Sequence, residues 1–189
     1  MTDVTAGVRA HLRNHFAGAG VSAEPDVATV TFVGLEPVDV VRFGPDPYGV
    51  VHYVSVGGSR HWTGEPTEMV VSLRGPSVGA GLARSVAVLA AAPAMEGLIP
   101  VPDALVDLGQ PVWRTPAQFA ARPRVPFTAF LLGHSEIKPW AGVRFLQAIP
   151  VTANEAAWVR LKGADAMRQV WQEDDVDVLD PSRRASSPS

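Results

Sequence analysis

Three apolar runs rich in β-branched residues, VATVTFV (27–33), VDVVRF (38–43) and YGVVHYVSV (48–56), follow one another with only Gly, Pro and Asp turn signals between them. Strands joined by a few turn residues pair antiparallel, because a parallel return needs a crossover of a dozen or more residues. The spacing therefore predicts an antiparallel meander and argues against a doubly wound fold. A fourth run, TEMVVSLR (67–74), alternates Met69, Val71 and Leu73 with Glu68, Ser72 and Arg74, so one face is expected in the core and the other in wetter surroundings. No internal repeat of fixed period interrupts this order.

Helical spacing flanks the strands. Val4, Val8, Leu12 and Phe16 recur at four-residue steps within 3–17, and Leu82, Val86 and Leu89 mark a helix over 79–92 whose remaining circumference is largely Ala. A helix apolar nearly all round belongs at the centre of a core. From 93 to 126, Pro93, Pro100, Pro102, Pro111, Pro116, Pro123 and Pro126 oppose any long regular element. That connection reads equally as a contact surface or as an excursion packed by Trp113 and Phe119. Strands resume at FTAFLLG (127–133) and VRFLQAIPV (143–151), and Thr152 with Glu155 has the T-x-x-E spacing of a capping box. Trp158 and Leu161 share a face of the helix it starts, Gly163 stops that helix, and Ala164, Met167, Val170 and Trp171 form the stripe of the next, with Trp158 and Trp171 expected to close the core. The expected fold is α+β, a mixed and mostly antiparallel sheet packed by helices. It occupies residues 1–179 as one domain, followed by a disordered polar tail over 180–189.

A chain of 189 residues that is 47% hydrophobic can bury one substantial core. Its net charge of -3 supplies no general attraction to nucleic acid. The absence of cysteine removes disulfide scaffolds, thiol catalysis and Cys-based zinc motifs, and fits a cytoplasmic protein. Arg9, His11, Arg13 and His15 break up the N-terminal stretch, so no secretion signal is expected, and the apolar run 81–95 is too short to cross a bilayer.

The segment HYVSVGGSRHW (52–62) concentrates the polar chemistry. Gly57-Gly58-Ser59-Arg60-His61 has the first Gly and the Ser of a G-x-S-x-G nucleophile elbow, but His61 stands where the last Gly belongs and no helix pattern follows. Ser55 lies across the strand from His52, so that pair offers no Ser–His couple either. A metalloenzyme would draw on His11, His15, His52, His61 and His134 with Asp39, Glu68 or Glu136. The spacings do not support one: His11 and His15 lack the intervening Glu of H-E-x-x-H, and His134 with Glu136 lacks the cysteines of a deaminase site. No G-K-[ST] accompanies the glycines, and Asp174 and Asp175 sit on a solvated acidic end. RRAS around Ser186 reads as a chance tail motif. No metal, cofactor or catalytic residue is expected. Gly57 and Gly58 let the chain leave the sheet, presenting Ser59, Arg60, His61 and Trp62 as a partner-binding loop in which Arg60 could grip a carboxylate.

HYVSVGGS (52–59), TEMVVSLRG (67–75), GLARSVAVL (81–89), FLQAIPVTANEAAWVRLKGADAMRQVW (145–171) and VLDPSRRAS (178–186) together give the chain a resemblance to the suppressor of fused domain family, over most of its length from residue 37. The resemblance implies an α/β domain without known catalytic activity that binds another protein. It is nearer to the single-domain bacterial members, many of which are thought to be immunity proteins that neutralise a cognate toxin, than to the longer animal members. Arg60 departs from the acidic residue that often follows the Ser of the first motif. The oligomeric state is not legible in the sequence.

Overall fold

A computed structural model describes residues 4–62, 64–75, 81–114 and 125–186. The elements are α1 Val4–Gly18, β1 Asp26–Phe32, β2 Leu35–Phe43, β3 Val50–Val56, a 3-10 turn Gly58–His61, β4 Thr67–Arg74, α2 Leu82–Glu96, β5 Leu105–Asp107, β6 Phe127–His134, β7 Arg144–Thr152, α3 Ala153–Lys162 and α4 Ala164–Glu173. The strands form one seven-stranded sheet in the order β1-β2-β3-β4-β7-β6-β5. The predicted meander is its first half, and β4 with β7 is the parallel pair that makes the sheet mixed.

Side-chain alternation divides the core between the two faces of the sheet. Val51, Tyr53, Val71, Leu73, Phe130, Leu132, Leu146 and Ala148 pack with Leu82, Val86 and Leu89 of α2 on one face. On the other, Val8, Leu12 and Phe16 of α1 cover Val54, Val70 and Phe145. Further along that face, α3 and α4 cover Ala129, Leu131 and Val151. The sheet floor of a cleft lies open on this face between the end of α1 and the segment at Val178 and Leu179.

Three sequence expectations are corrected, at the end of α2, on the second face of β4 and in the C-terminal segment, and the proline-rich connection proves to hold one short strand. Helix α2 runs through Pro93 to Glu96 rather than stopping before it, and the Gly97 N–H closes the helix on the Pro93 carbonyl at 3.1 Å. The proline-rich connection contains β5, set by pairing with β6 and held by Arg160 Nη2 donating to Asp107 Oδ2 at 2.8 Å. Trp113 packs on Phe127 with ring centroids 5.1 Å apart, while Phe119 lies outside the described residues. The face of β4 expected to be wetter is buried up to Ser72, leaving only Arg74 exposed. Residues 180–186, expected in a disordered tail, pack on the domain through Arg183, whose side chain is 5% exposed.

Candidate functional site

The segment 57–62 is not a free loop. Gly57 adopts φ 106°, a backbone conformation that glycine enters without a Cβ penalty, and the chain then coils into the 3-10 turn. A Cβ on Gly58 would stand 2.7 Å from the Ala90 Cβ of α2, so glycine lets the turn press against that helix. Beneath it lies Glu68, with 0% exposure. The N–H groups of Gly57 and Ser59 donate to its Oε1 at 2.8 and 3.0 Å, and the Gly58 N–H and Ser55 hydroxyl donate to Oε2 at 3.2 and 2.5 Å. Burial pushes the Glu68 carboxyl up from its ordinary range, opposed by the hydrogen bonds from Ser55, Ser59 and Gly57. The paired glycines therefore wrap a turn around a buried acid, whose four donors come from main-chain and hydroxyl groups that would otherwise lack partners.

The four residues expected to contact a partner take different positions. Ser59 is buried, and its backbone belongs to the Glu68 cradle. Trp62 is half-buried and packs on the core cluster that α2 shares with the sheet. Arg60 lies exposed along the β1–β2 hairpin: Nη1 pairs with Glu36 Oε2 at 3.0 Å, and Nη2 donates to the Pro37 carbonyl at 2.7 Å. His61 Nε2 lies 3.0 Å from the Glu36 carbonyl. The bidentate capacity read for Arg60 is thus engaged within the chain.

Large apolar side chains are exposed on the two segments that this turn touches, the β1–β2 hairpin at Glu36 and helix α2 at Ala90. Val33 at the hairpin tip is fully exposed, and Met95, Ile99 and Val101 are exposed at and beyond the end of α2. Arg144 fixes the latter segment beside the turn: it donates through Nη2 to the Pro100 carbonyl at 2.7 Å and through Nε to Thr67 Oγ1 at 2.9 Å, and pairs with Glu65.

The cleft between the end of α1 and the segment at Val178 and Leu179 has a volume of about 540 Å³. His52 and Ser72 stand directly opposite each other on β3 and β4. His52 Nδ1 is 2.8 Å from Ser72 Oγ, and its Nε2 is 3.2 Å from Asp46 Oδ2. Gln147 Nε2 on β7 donates to Ser72 Oγ at 3.0 Å. Burial acts to raise the Asp46 pKa, but the Val50 and Tyr48 N–H groups and His52 outweigh it and hold the carboxyl below its ordinary range. His15 borders the same cleft, its pKa lowered by burial and then by His11 and His52. Along its own strand His52 meets no serine, and Ser72, on the neighbouring strand, is not apparent from the local sequence. The available signal was the register of the β3–β4 hairpin, which places two residues of one sheet face side by side.

Of the other histidines, His11 Nε2 is 2.8 Å from the Lys138 carbonyl and His134 lines the cleft. Asp39 is bound to Arg9 and to the Thr29 hydroxyl. Among the described residues no three His, Asp or Glu side chains gather as metal ligands, and no helix is long and apolar enough to cross a membrane.

A second buried acid secures the C-terminal segment. Thr152 and Glu155 form the predicted capping box, with the Thr152 N–H on Glu155 Oε2 at 2.9 Å and the Glu155 N–H on Thr152 Oγ1 at 3.4 Å. Arg183 then donates to Oε1 and Oε2 at 2.6 and 3.1 Å, and the Trp171 indole N–H and the Ser186 N–H reach Oε1, both at 3.2 Å. The Arg183 guanidinium also lies over the rings of Phe127 and Trp171. Burial would raise the Glu155 pKa, but Arg183 overcomes it and holds the carboxyl below its ordinary range. Upstream, the Arg74 N–H donates to the Leu179 carbonyl at 2.7 Å, so the segment seals one wall of the cleft on its way to the lock.

The sequence profile of the suppressor of fused protein (SUFU) family matches residues 34–184. A SUFU homologue from Neisseria gonorrhoeae FA 1090 superposes with a TM-score of 0.71 at 18% identity, covering 98% of this chain and 97% of that one. The Sufu–Fu complex gives a TM-score of 0.67 at 12% identity, covering 96% of this chain and 91% of the other. No curated protein sequence matches the chain.

Proposed function

The chain belongs to the suppressor of fused protein family, and on that premise we propose that it is a protein-binding module whose partner is a toxin that it neutralises. A relative of the same fold forms the Sufu–Fu complex, which favours a protein as the partner. The observation that carries the reading is the exposed apolar set of Val33, Met95, Ile99 and Val101 around a turn braced from within by Glu68. A contact surface gains affinity when its backbone is already ordered before binding, because less conformational entropy is then lost. Glu36 neutralises Arg60, so the contact relies on apolar anchors, with His61 and the remaining face of Arg60 at its polar rim. The Ser59 turn serves as scaffold in this reading. It places the protein in the cytoplasm with its partner and requires no cofactor.

The test begins with affinity capture by the full chain from the cells that make it. The captured polypeptide, expressed alone, is expected to arrest growth, and co-expression of this chain is expected to restore it. A captured polypeptide that is harmless when expressed alone would leave the binding function standing and remove the toxin. Capture of no stoichiometric polypeptide would remove both.

A further inference from the structure

We propose that Ser72 is an activated nucleophile and that the cleft around it performs acyl transfer from carboxylic esters with a compact apolar acyl group. The direction of each hydrogen bond follows from the chemistry of its partners. Asp46 Oδ1 accepts the N–H groups of Tyr48 and Val50 at 2.8 and 3.0 Å, leaving Oδ2 to face His52 Nε2 at 3.2 Å. An ionised carboxylate only accepts, so Nε2 carries the ring proton and Nδ1 of the neutral imidazole is an acceptor. Gln147 Nε2 donates to Ser72 Oγ at 3.0 Å, which leaves the Ser72 proton to point at Nδ1, 2.8 Å away. The order acid, imidazole, hydroxyl is the arrangement by which a general base activates a serine. Phe16 holds the ring in place, with centroids 4.9 Å apart.

The surroundings define the substrate. Ser72 and Gln147 lie on a cleft floor whose walls include Phe16, Val50, Val70, Ile137, Ile149 and Val178, an environment for hydrocarbon. In the first step Ser72 Oγ bonds to the ester carbonyl carbon and its proton passes to His52 Nδ1. The acyl carbon–alkoxy oxygen bond then breaks, and the alkoxide takes that proton and leaves as an alcohol. Water adds to the acyl carbon with His52 again accepting a proton, which returns to Ser72 Oγ as the carboxylic acid departs. The Gln147 N–H is the donor at hand for the oxygen charge that develops, and Asp46 is a positioning residue acting through His52.

The full chain is treated with an alkyl fluorophosphonate and analysed by intact and peptide mass spectrometry, alongside hydrolysis of p-nitrophenyl butyrate. In the probe reaction the Ser72 Oγ–phosphorus bond forms, the phosphorus–fluorine bond breaks, and the proton goes to His52. One adduct on the Ser72 peptide is expected. It should be absent in Ser72→Ala and form about 100-fold more slowly in His52→Gln, the scale of lost general-base assistance. Asp46→Asn should slow it and Asp46→Glu restore part of the rate, a rescue that a purely structural role would not produce. Where Ser72→Ala does not fold, Ser72→Gly, which also lacks a nucleophile, is expected to lose the adduct. No adduct on the wild-type chain, or an adduct that persists in the folded Ser72 variants, would overturn the proposal.

Discussion

At the scale of single residues, two buried carboxylates organise the molecule in opposite electrostatic senses. Glu155 has a full countercharge in Arg183, whereas Glu68 has only dipoles and a hydroxyl. Removing one member of a buried ion pair typically costs about 3–5 kcal/mol, because the remaining charge stays desolvated. Arg183→Met should therefore lower stability by about that amount at pH 7 in urea unfolding. Because the folded Glu155 pKa is depressed, its stabilisation is complete above the unfolded value of 4.5 and is lost as pH falls through the folded value. The cost of Arg183→Met should shrink correspondingly in acid; an unchanged cost there would assign the effect to packing. For Glu68 the sign reverses. Its raised pKa gives stability below the unfolded value of 4.5 that is lost as pH rises through the folded value. Glu68→Gln would remove that slope but turn an amide NH₂ toward N–H donors, and a loss of about 1–3 kcal/mol is expected near neutral pH. A variant as stable as wild type, with the slope intact, would contradict the cradle.

At the scale of elements, what the sequence discloses is what short-range chemistry determines. Residues 67–74 read as a strand from alternation alone, and Thr152 and Glu155 mark the start of α3 because both halves of the capping box lie within one turn. Strand β5 is invisible to such a reading, since its three residues become a strand only by pairing with β6. The burial of Glu68 was equally hidden, because it depends on backbone donors about ten residues upstream folding back over it. The C-terminal segment reads as a solvated tail because its main anchor, Arg183, is a residue type seldom found in an interior. The two tryptophans expected to close the core together turn out unequal. Trp171 is buried with its N–H on Glu155, whereas Trp158 is half-buried beside α4. Trp171→Ala should cost about 3–5 kcal/mol and Trp158→Ala less than half of that, read as shifts in urea midpoint. Equal losses would mean that α3 packs more deeply than described.

At the scale of the whole molecule, the sheet separates two regions that composition could not distinguish. At one end, a turn held from below braces the β1–β2 hairpin and α2, two segments with exposed apolar side chains, and pairs Arg60 with Glu36. On the α1 face of the sheet, strand pairing brings His52, Ser72 and Gln147 together, and the β2–β3 connection adds Asp46. The α+β class and the family were legible because local patterns and their order carry them. The composition of the contact end was not, because the same turn that displays it also takes Ser59 and Trp62 into the interior. The central claim, protein binding at that end, is tested most directly by calorimetry of the captured partner with wild type, Val33→Asp, Ile99→Asp and Ser72→Ala, alongside thermal unfolding of each. An exposed apolar anchor replaced by a charge should weaken binding by about 2 kcal/mol or more. Val33→Asp and Ile99→Asp are expected to lose affinity with unchanged melting temperature, while Ser72→Ala binds as wild type. Full affinity in both aspartate variants, with both folded, would contradict the account.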